Sequence, residues 1–209
     1  MAQYFRIHPD NPQPRLLRQA AELVAAGALV ALPTDTSYAL VCRLDDRGAV
    51  DRLRRLRGLD EKQLLSLMVR DLSELANFAM VDNQQYRLIK SVTPGPYVFV
   101  LEATREVPRR LSHPSRKTIG LRVPAHPLTQ GLLEAVGQPL IASTLIIPPD
   151  TEPLNDPDEI RERLEKQIEL VIDGGPCAAE PSTIIDLSRG EPQLVRAGRG
   201  SLAPFGLEE

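Results

Sequence analysis

Residues 28–42 read ALVALPTDTSYALVC, in which two apolar runs flank a short polar turn. The first run, residues 28–32, is too short for a helix and predicts a buried strand. Residues 38–42 predict a second strand. The turn between them places the hydroxyl groups of Thr34 and Thr36 at the carboxyl end of the first strand. There the two hydroxyl groups either contact a bound ligand or only form hydrogen bonds that stabilise the turn.

Helices and further strands are predicted along the rest of the chain. An apolar stripe at helical spacing between Pro14 and Gly27 indicates one helix, and residues 127–136 indicate another. Aspartate stands at four places where a helix N-cap is expected, namely Asp46, Asp71, Asp82 and Asp156. Runs of strand-forming residues lie at 64–69, 97–101, 118–123, 140–142, 170–172, 183–187 and 193–196.

This alternation of strands and helices favours an α/β fold of the α+β type. We expect a twisted mixed β-sheet with helices on both faces. A sheet of this kind binds its ligands outside the ends of its strands. The polar groups at strand ends are therefore the first candidates for a functional site.

Length and composition indicate one globular domain over residues 1–209. The chain is 42% hydrophobic and 25% charged, which is ordinary for a globular protein, and no linker interrupts it. No apolar run approaches the 18 residues of a membrane span, and the first residues lack a secretory signal. Cys42 and Cys177 fit free thiols in a reducing compartment. We therefore expect a cytoplasmic protein with no membrane partner, and the sequence sets no oligomeric state.

The charged residues are unevenly distributed, although the net charge is only −3. Residues 43–57 carry a local charge of +3 and residues 105–122 one of +5, whereas residues 150–169 carry −5. Most of the basic residues are arginine, whose planar fork suits phosphate and carboxylate. The two basic segments either converge on an anion or form a solvated helix face and a loop.

Motifs of several common enzyme classes are absent from the sequence. It contains no Walker loop, no G-x-G-x-x-G after a strand and no G-x-S-x-G. The three histidines lie far apart, with no cysteine or carboxylate at the spacing of zinc ligands. Covalent catalysis by serine, histidine or cysteine therefore has no support.

Arg122 is the most informative single residue because it interrupts an apolar strand. A charge there is costly unless it is paired or faces a ligand. A structural ion pair and a ligand contact both remain open for this side chain. Ser182 precedes the strand at 183–187 and Arg196 ends the last strand, so both also lie at strand ends.

Seven short motifs, found in a characteristic order between about residues 15 and 204, resemble the YrdC-like family. They are PTDTSYAL (33–40), RLRG (55–58), PGPYVFVL (94–101), KTIGLRVPAHP (117–127), PLIAST (139–144), PSTIIDL (181–187) and VRAG (195–198). No single motif is specific, but the shared order is. Four further segments resemble the YciO branch of that family: IHPDNPQ (7–13), RDLSEL (70–75), EVPRRL (106–111) and RLEKQ (163–167).

The resemblance implies a concave basic cavity and the synthesis of threonylcarbamoyl-adenylate from L-threonine, bicarbonate and ATP with Mg²⁺. The product serves the tRNA modification N6-threonylcarbamoyladenosine. By resemblance, the catalytic residues are Arg55, Arg57 and Arg122. The substrate-binding residues are Thr34, Thr36 and Thr144, and the nucleotide-binding residues are Lys62, Ser143, Ser182 and Arg196. The resemblance implies no resident metal and no tightly bound cofactor.

Two departures from the family pattern fall where the substrates are expected. The family's Lys-x-Arg is Arg55-Leu56-Arg57 here, which exchanges a compact ammonium for a planar fork. Its Ser-Ala-Asn becomes Thr144-Leu145-Ile146, which removes an amide that contacts substrate. We therefore expect a retained cavity with weak or altered adenylate chemistry. The alternative is a paralogue that binds double-stranded RNA or tRNA without efficient synthase activity.

Overall fold

The computed structural model describes residues 1–60, 63 and 65–208. Within them the α-helices are α1 (Pro14–Ala25), α2 (Arg47–Arg57), α3 (Leu72–Phe78), α4 (Asn83–Val92), α5 (Pro127–Val136) and α6 (Pro157–Leu164). The first strands are β1 (Gln3–Arg6), β2 (Val30–Leu32), β3 (Ala39–Arg43), β4 (Ser66–Met68), β5 (Ala79–Met80) and β6 (Tyr97–Ala103). The remaining strands are β7 (Thr118–Arg122), β8 (Leu140–Thr144), β9 (Leu170–Asp173), β10 (Thr183–Asp186) and β11 (Gln193–Arg196).

All of these strands join one mixed sheet in the described part of the chain. Its order is β1-β9-β2-β3-β8-β4-β7-β6-β10-β11, and β5 pairs with β6 outside this path. Four neighbouring pairs are parallel, β1/β9, β9/β2, β4/β7 and β6/β10, and the others are antiparallel. The predicted fold class is confirmed.

Hydrophobic cores lie on both faces of the sheet because alternate side chains of a strand point to opposite faces. On one face, residues such as Phe99 and Leu121 pack against α2, α3, α4 and α6. On the other face, α1 and α5 pack over the half of the sheet near β2 and β9. The rest of this second face, from β3 to β11, carries the cavity described below.

Helix starts follow the predicted caps closely. The Asp46 carboxylate accepts from the Ala49 N–H at 2.9 Å, and Asp82 forms a reciprocal capping box with Gln85. Asp71 also caps its helix, but Glu74 accepts from the Arg70 N–H, so only half of a capping box forms there. Each cap satisfies an N–H group that the first helical turn cannot pair.

No helix within the described residues is both long and apolar enough to cross a membrane. Cys42 is buried and Cys177 half-buried, and both are free thiols. Burial raises the pKa of the Cys42 thiol to about 12 and that of Cys177 to about 11. Both thiols are therefore protonated at neutral pH.

Candidate functional site

A cavity of about 230 Å³ lies on the open half of the second sheet face. Its floor is built from alternate residues of β3, β4, β6, β7, β8 and β10, so the register of the sheet fixes it. Six of the ten predicted site residues line this cavity, namely Arg57, Arg122, Ser143, Thr144, Ser182 and Arg196. The structure therefore brings together residues that are up to 139 positions apart in sequence.

The middle of the floor is Gly120, which pairs with Ser66 on one side and Val100 on the other. A Cβ atom at Gly120 would lie 3.1 Å from Cγ1 of Val98 and 3.4 Å from Cβ of Ser66. A strand glycine at such a place permits another group to approach the backbone closely. Because Gly120 has no side chain, the cavity stays open above the backbone of β7, and the arginines lie around this open space.

Arg57 lies at the C-terminal end of α2 and reaches the end of β8. Its Nε donates to Oγ of Ser143 at 3.0 Å, and its Nη1 donates to the carbonyl oxygen of Ile146. Both acceptors are neutral, and burial lowers the pKa of this guanidinium. Desolvation here disfavours the charged form, so an anion in the cavity would be stabilised by Arg57.

Arg196 stands at the opposite end of the cavity, on the edge strand β11. Its Nε and Nη2 donate to the carbonyl oxygen of Ser182 at 3.1 and 2.8 Å, and Nη2 also contacts Oγ of Ser182 at 3.2 Å. Burial, followed by the nearby charge of Arg122, lowers its pKa. Within the described residues, no carboxylate forms a salt bridge with Arg57 or Arg196.

Arg122 lies between them and has a carboxylate partner. Its Nη2 is paired with Oδ1 of Asp35 and also donates to Oγ1 of Thr36 at 3.0 Å. The two charged side chains are only 7% and 12% exposed. Arg122 therefore combines the two roles that the sequence left open, because it lines the cavity and belongs to a buried ion pair.

The structure places Thr34 and Thr36 next to Arg122. Both side chains are almost fully buried and lie behind Arg122, outside the cavity lining. Thr34 donates to the carbonyl oxygen of Ser37 at 2.6 Å, and the two hydroxyl groups are 3.1 Å apart. The tight turn directs them toward each other, so they hold Arg122 and do not face the cavity.

Arg55 also lies outside the described cavity lining. Its side chain is exposed and only approaches the Asp51 carbonyl oxygen at 3.4 Å. Residues two apart on a helix point about 200° away from each other, so Arg55 and Arg57 cannot both face the cavity. Lys62, the remaining predicted site residue, lies outside the described residues.

Asp35 and Arg199 were not among the predicted site residues. Asp35 holds Arg122, and the Arg199 Nη1 donates to the main-chain oxygen of Asp35 at 3.0 Å. The sequence did carry a signal for Asp35, since a buried Arg122 needs a counter-charge and an aspartate lies inside the first motif. Arg199 had no such signal. It is brought there by Gly198, where a Cβ would lie 2.3 Å from the Pro181 oxygen.

The chemistry of the cavity is that of a binding site for anions. Among the described residues that line it there are three arginines and several hydroxyl groups, but no aspartate or glutamate. The described residues also contain no group of three or more potential metal ligands. The described part of the lining can neutralise and align anionic groups, and it contains no carboxylate that could hold a metal ion.

Comparisons with known proteins agree with this fold. The family model Sua5_yciO_yrdC, described as "Telomere recombination", matches residues 22–198. The "Uncharacterized protein YciO" of Escherichia coli (strain K12) is 49% identical over 205 residues, which cover 98% of this chain and 100% of YciO. The crystal structure of E. coli YciO matches with a TM-score of 0.95.

More distant relatives carry a named activity or ligand. The threonylcarbamoyl-AMP synthase of Homo sapiens is 32% identical over 190 residues, covering 87% of this chain and 67% of the synthase. The crystal structure of P. abyssi Sua5 complexed with L-threonine is 28% identical, with a TM-score of 0.87. The match covers 94% of this chain and 58% of Sua5. The resemblance stated from the sequence motifs is confirmed.

Proposed function

The chain belongs to the Sua5, YciO and YrdC family, and on that premise we propose that its cavity forms an acyl-adenylate from ATP, L-threonine and bicarbonate. The product would serve the N6-threonylcarbamoyladenosine modification of tRNA. The observation that carries the proposal is the pair Arg57 and Arg196, which face one cavity and, among the described residues, donate to neutral oxygens. Two half-buried guanidinium groups without carboxylates favour an anionic ligand.

The proposed reaction needs alignment and charge neutralisation more than a protein nucleophile. The threonine nitrogen and bicarbonate form a carbamate with loss of water. An oxygen of that carbamate then attacks the α-phosphorus of ATP, the bond from that phosphorus to the bridging oxygen breaks, and pyrophosphate leaves. Positioned arginines stabilise the charge on the phosphates in such a transfer. In this assignment Arg57 contacts the phosphates, and Ser182 and Arg196 hold the nucleotide.

Arg122 has a narrower role than the resemblance implied. Because Nη2 is engaged by Asp35 and Thr36, a threonine carboxylate would have to use Nη1. Mg²⁺ enters this proposal as part of the MgATP substrate, because no described carboxylate lines the cavity. Its ligands would come from the phosphates and water.

Arg57→Ala should weaken binding of ATP in the presence of Mg²⁺ by on the order of 10- to 100-fold, because it removes charge-assisted hydrogen bonds. Titration calorimetry on the purified proteins measures this. Arg55→Ala is the matched control, since it removes the same charge from the exposed face of the same helix. Equal effects of the two variants would contradict the placement of the phosphates against Arg57.

Binding of duplex RNA or tRNA is a second candidate function, and one surface favours it. The segment between β6 and β7 exposes a group of basic side chains, Arg105, Arg109, Arg110, Arg116 and Lys117. Arg109 lines two adjoining surface hollows, one of them shared with Arg47 of α2. A continuous basic surface of this kind suits a phosphate backbone, and such binding weakens steeply with salt.

If this surface binds RNA, the double variant Arg105→Gln/Arg109→Gln should lower the slope of log affinity against log salt by about 2, one unit for each lost phosphate contact. Filter binding of tRNA at several salt concentrations measures the slope. The control is Arg87→Gln/Lys90→Gln, which removes two exposed charges from α4. A wild-type affinity that does not vary with salt would exclude this second function.

A further inference from the structure

The three arginines that line the cavity are not electrically equivalent. Arg57 and Arg196 donate to neutral oxygens, whereas Arg122 is paired with the Asp35 carboxylate. The formal charge of the pair is zero, although the Arg122 charge still acts on the neighbouring Arg196. The net formal charge that a ligand meets among the described lining residues is therefore that of Arg57 and Arg196.

The contacts of the Arg122 guanidinium leave it little freedom toward a ligand. Nη2 carries two hydrogens, and Asp35 and Thr36 can accept both. Nε is buried without a hydrogen-bond partner within the described residues. Only Nη1 remains for a group in the cavity, so the bidentate clasp typical of arginine is not available while Asp35 is in place.

Asp35 is held in position by three contacts, two from β7 and the residues directly after it and one from Arg199. Its Oδ1 is paired with Arg122 on β7, and its Oδ2 accepts from the Ala125 N–H at 3.1 Å. Its main-chain oxygen accepts from Arg199 at 3.0 Å. The Asp35 side chain is therefore held at both of its oxygens and is only 12% exposed.

We propose that Asp35 is a specificity-determining residue that limits the anionic charge the cavity binds, by keeping Arg122 neutralised. This inference rests on the cavity being the anion site of the proposed function. Removing Asp35 would leave a buried, unpaired guanidinium beside Arg196, and an anionic ligand would then supply the missing counter-charge. Loss of the Asp35 carboxylate should therefore tighten the binding of an anion in the cavity.

The test is titration calorimetry of Asp35→Asn with inorganic pyrophosphate at constant ionic strength. Asparagine keeps the size of the side chain and an oxygen for the Ala125 N–H, but it has no charge. We expect pyrophosphate to bind more tightly than to the wild-type protein, by on the order of tenfold or more, because the freed guanidinium can form charge-assisted hydrogen bonds with it. The variant should also gain more thermal stability from pyrophosphate than the wild type does.

The double variant Asp35→Asn/Arg122→Gln is the second measurement, and it replaces the ion pair by a neutral pair in case the single variant fails to fold. Its pyrophosphate affinity should fall within about threefold of the wild type. A drop of tenfold or more would mean that Arg122 itself clasps the anion, and would overturn the proposal. So would a folded Asp35→Asn that binds no more tightly than the wild type.

The charge control is Asp150→Asn, which breaks the 2.7 Å pair with Arg163 outside the cavity lining. It should leave pyrophosphate affinity unchanged, and an equal gain in this variant would show a general charge effect and overturn the proposal. All of these outcomes concern binding of pyrophosphate. They are therefore distinct from a failure to form the acyl-adenylate, which would contradict the proposed reaction alone.

Discussion

Arg122→Gln is expected to lower the free energy of unfolding by about 3–5 kcal/mol, because it leaves the Asp35 carboxylate buried without a cation. The size of this effect follows from the burial of both partners, which are 7% and 12% exposed. An exposed ion pair would contribute only about 0–1 kcal/mol. Equilibrium unfolding in urea at neutral pH, followed by circular dichroism, measures the difference.

The double variant Asp35→Asn/Arg122→Gln separates loss of the pair from loss of one partner. It removes both charges and keeps hydrogen-bonding groups of similar size, so most of the lost stability should return. Arg43→Gln, which breaks the more exposed pair with Asp45, serves as the control and should cost less than about 1 kcal/mol. A double variant as unstable as Arg122→Gln would mean that Arg122 stabilises the fold through packing alone.

Ile146→Asn is expected to increase the rate of acyl-adenylate formation by about 5- to 150-fold, if the amide contacts substrate as the family pattern implies. Ile146 lines the cavity, and its carbonyl oxygen accepts from Arg57. The new amide would thus stand next to the residue assigned to the phosphates. Mass spectrometry of the product, with pyrophosphate release as a second readout, measures the rate.

Ile146→Val is the matched control for this prediction, since it changes the volume of the wall and keeps it apolar. It should change the rate by less than about threefold. An asparagine variant no faster than the valine variant would show that the missing amide does not limit the reaction. The arginine at position 55 would not then explain slow turnover either, because its side chain lies outside the cavity.

Much of the fold was predictable because residues typical of helix and strand ends stand at the boundaries of many elements. The predicted helix at 127–136 and strand at 193–196 match the structure to the residue. Proline at a helix start and glycine after its end give such boundaries. Strand β1 was missed, since its four residues, QYFR, show no strand pattern and depend on parallel pairing with β9.

The candidate site was predictable only in outline. Polar residues at strand ends do converge, as Arg57, Arg122 and Arg196 show. The direction of each side chain could not be predicted. It depends on the position around the helix axis for Arg55 and on the turn conformation for Thr34. Long-range pairing is equally invisible in the sequence, which is why the two roles of Arg122 stayed open until Asp35 was located beside it.

Whether the arginine-lined cavity supports adenylate chemistry is decided by one assay. The purified wild-type protein is incubated with ATP, Mg²⁺, bicarbonate and L-threonine, and the products are examined by mass spectrometry. We expect threonylcarbamoyl-adenylate and pyrophosphate above the blank, even if slowly formed. No acyl-adenylate and no pyrophosphate release, from protein that is folded, would contradict the proposed function.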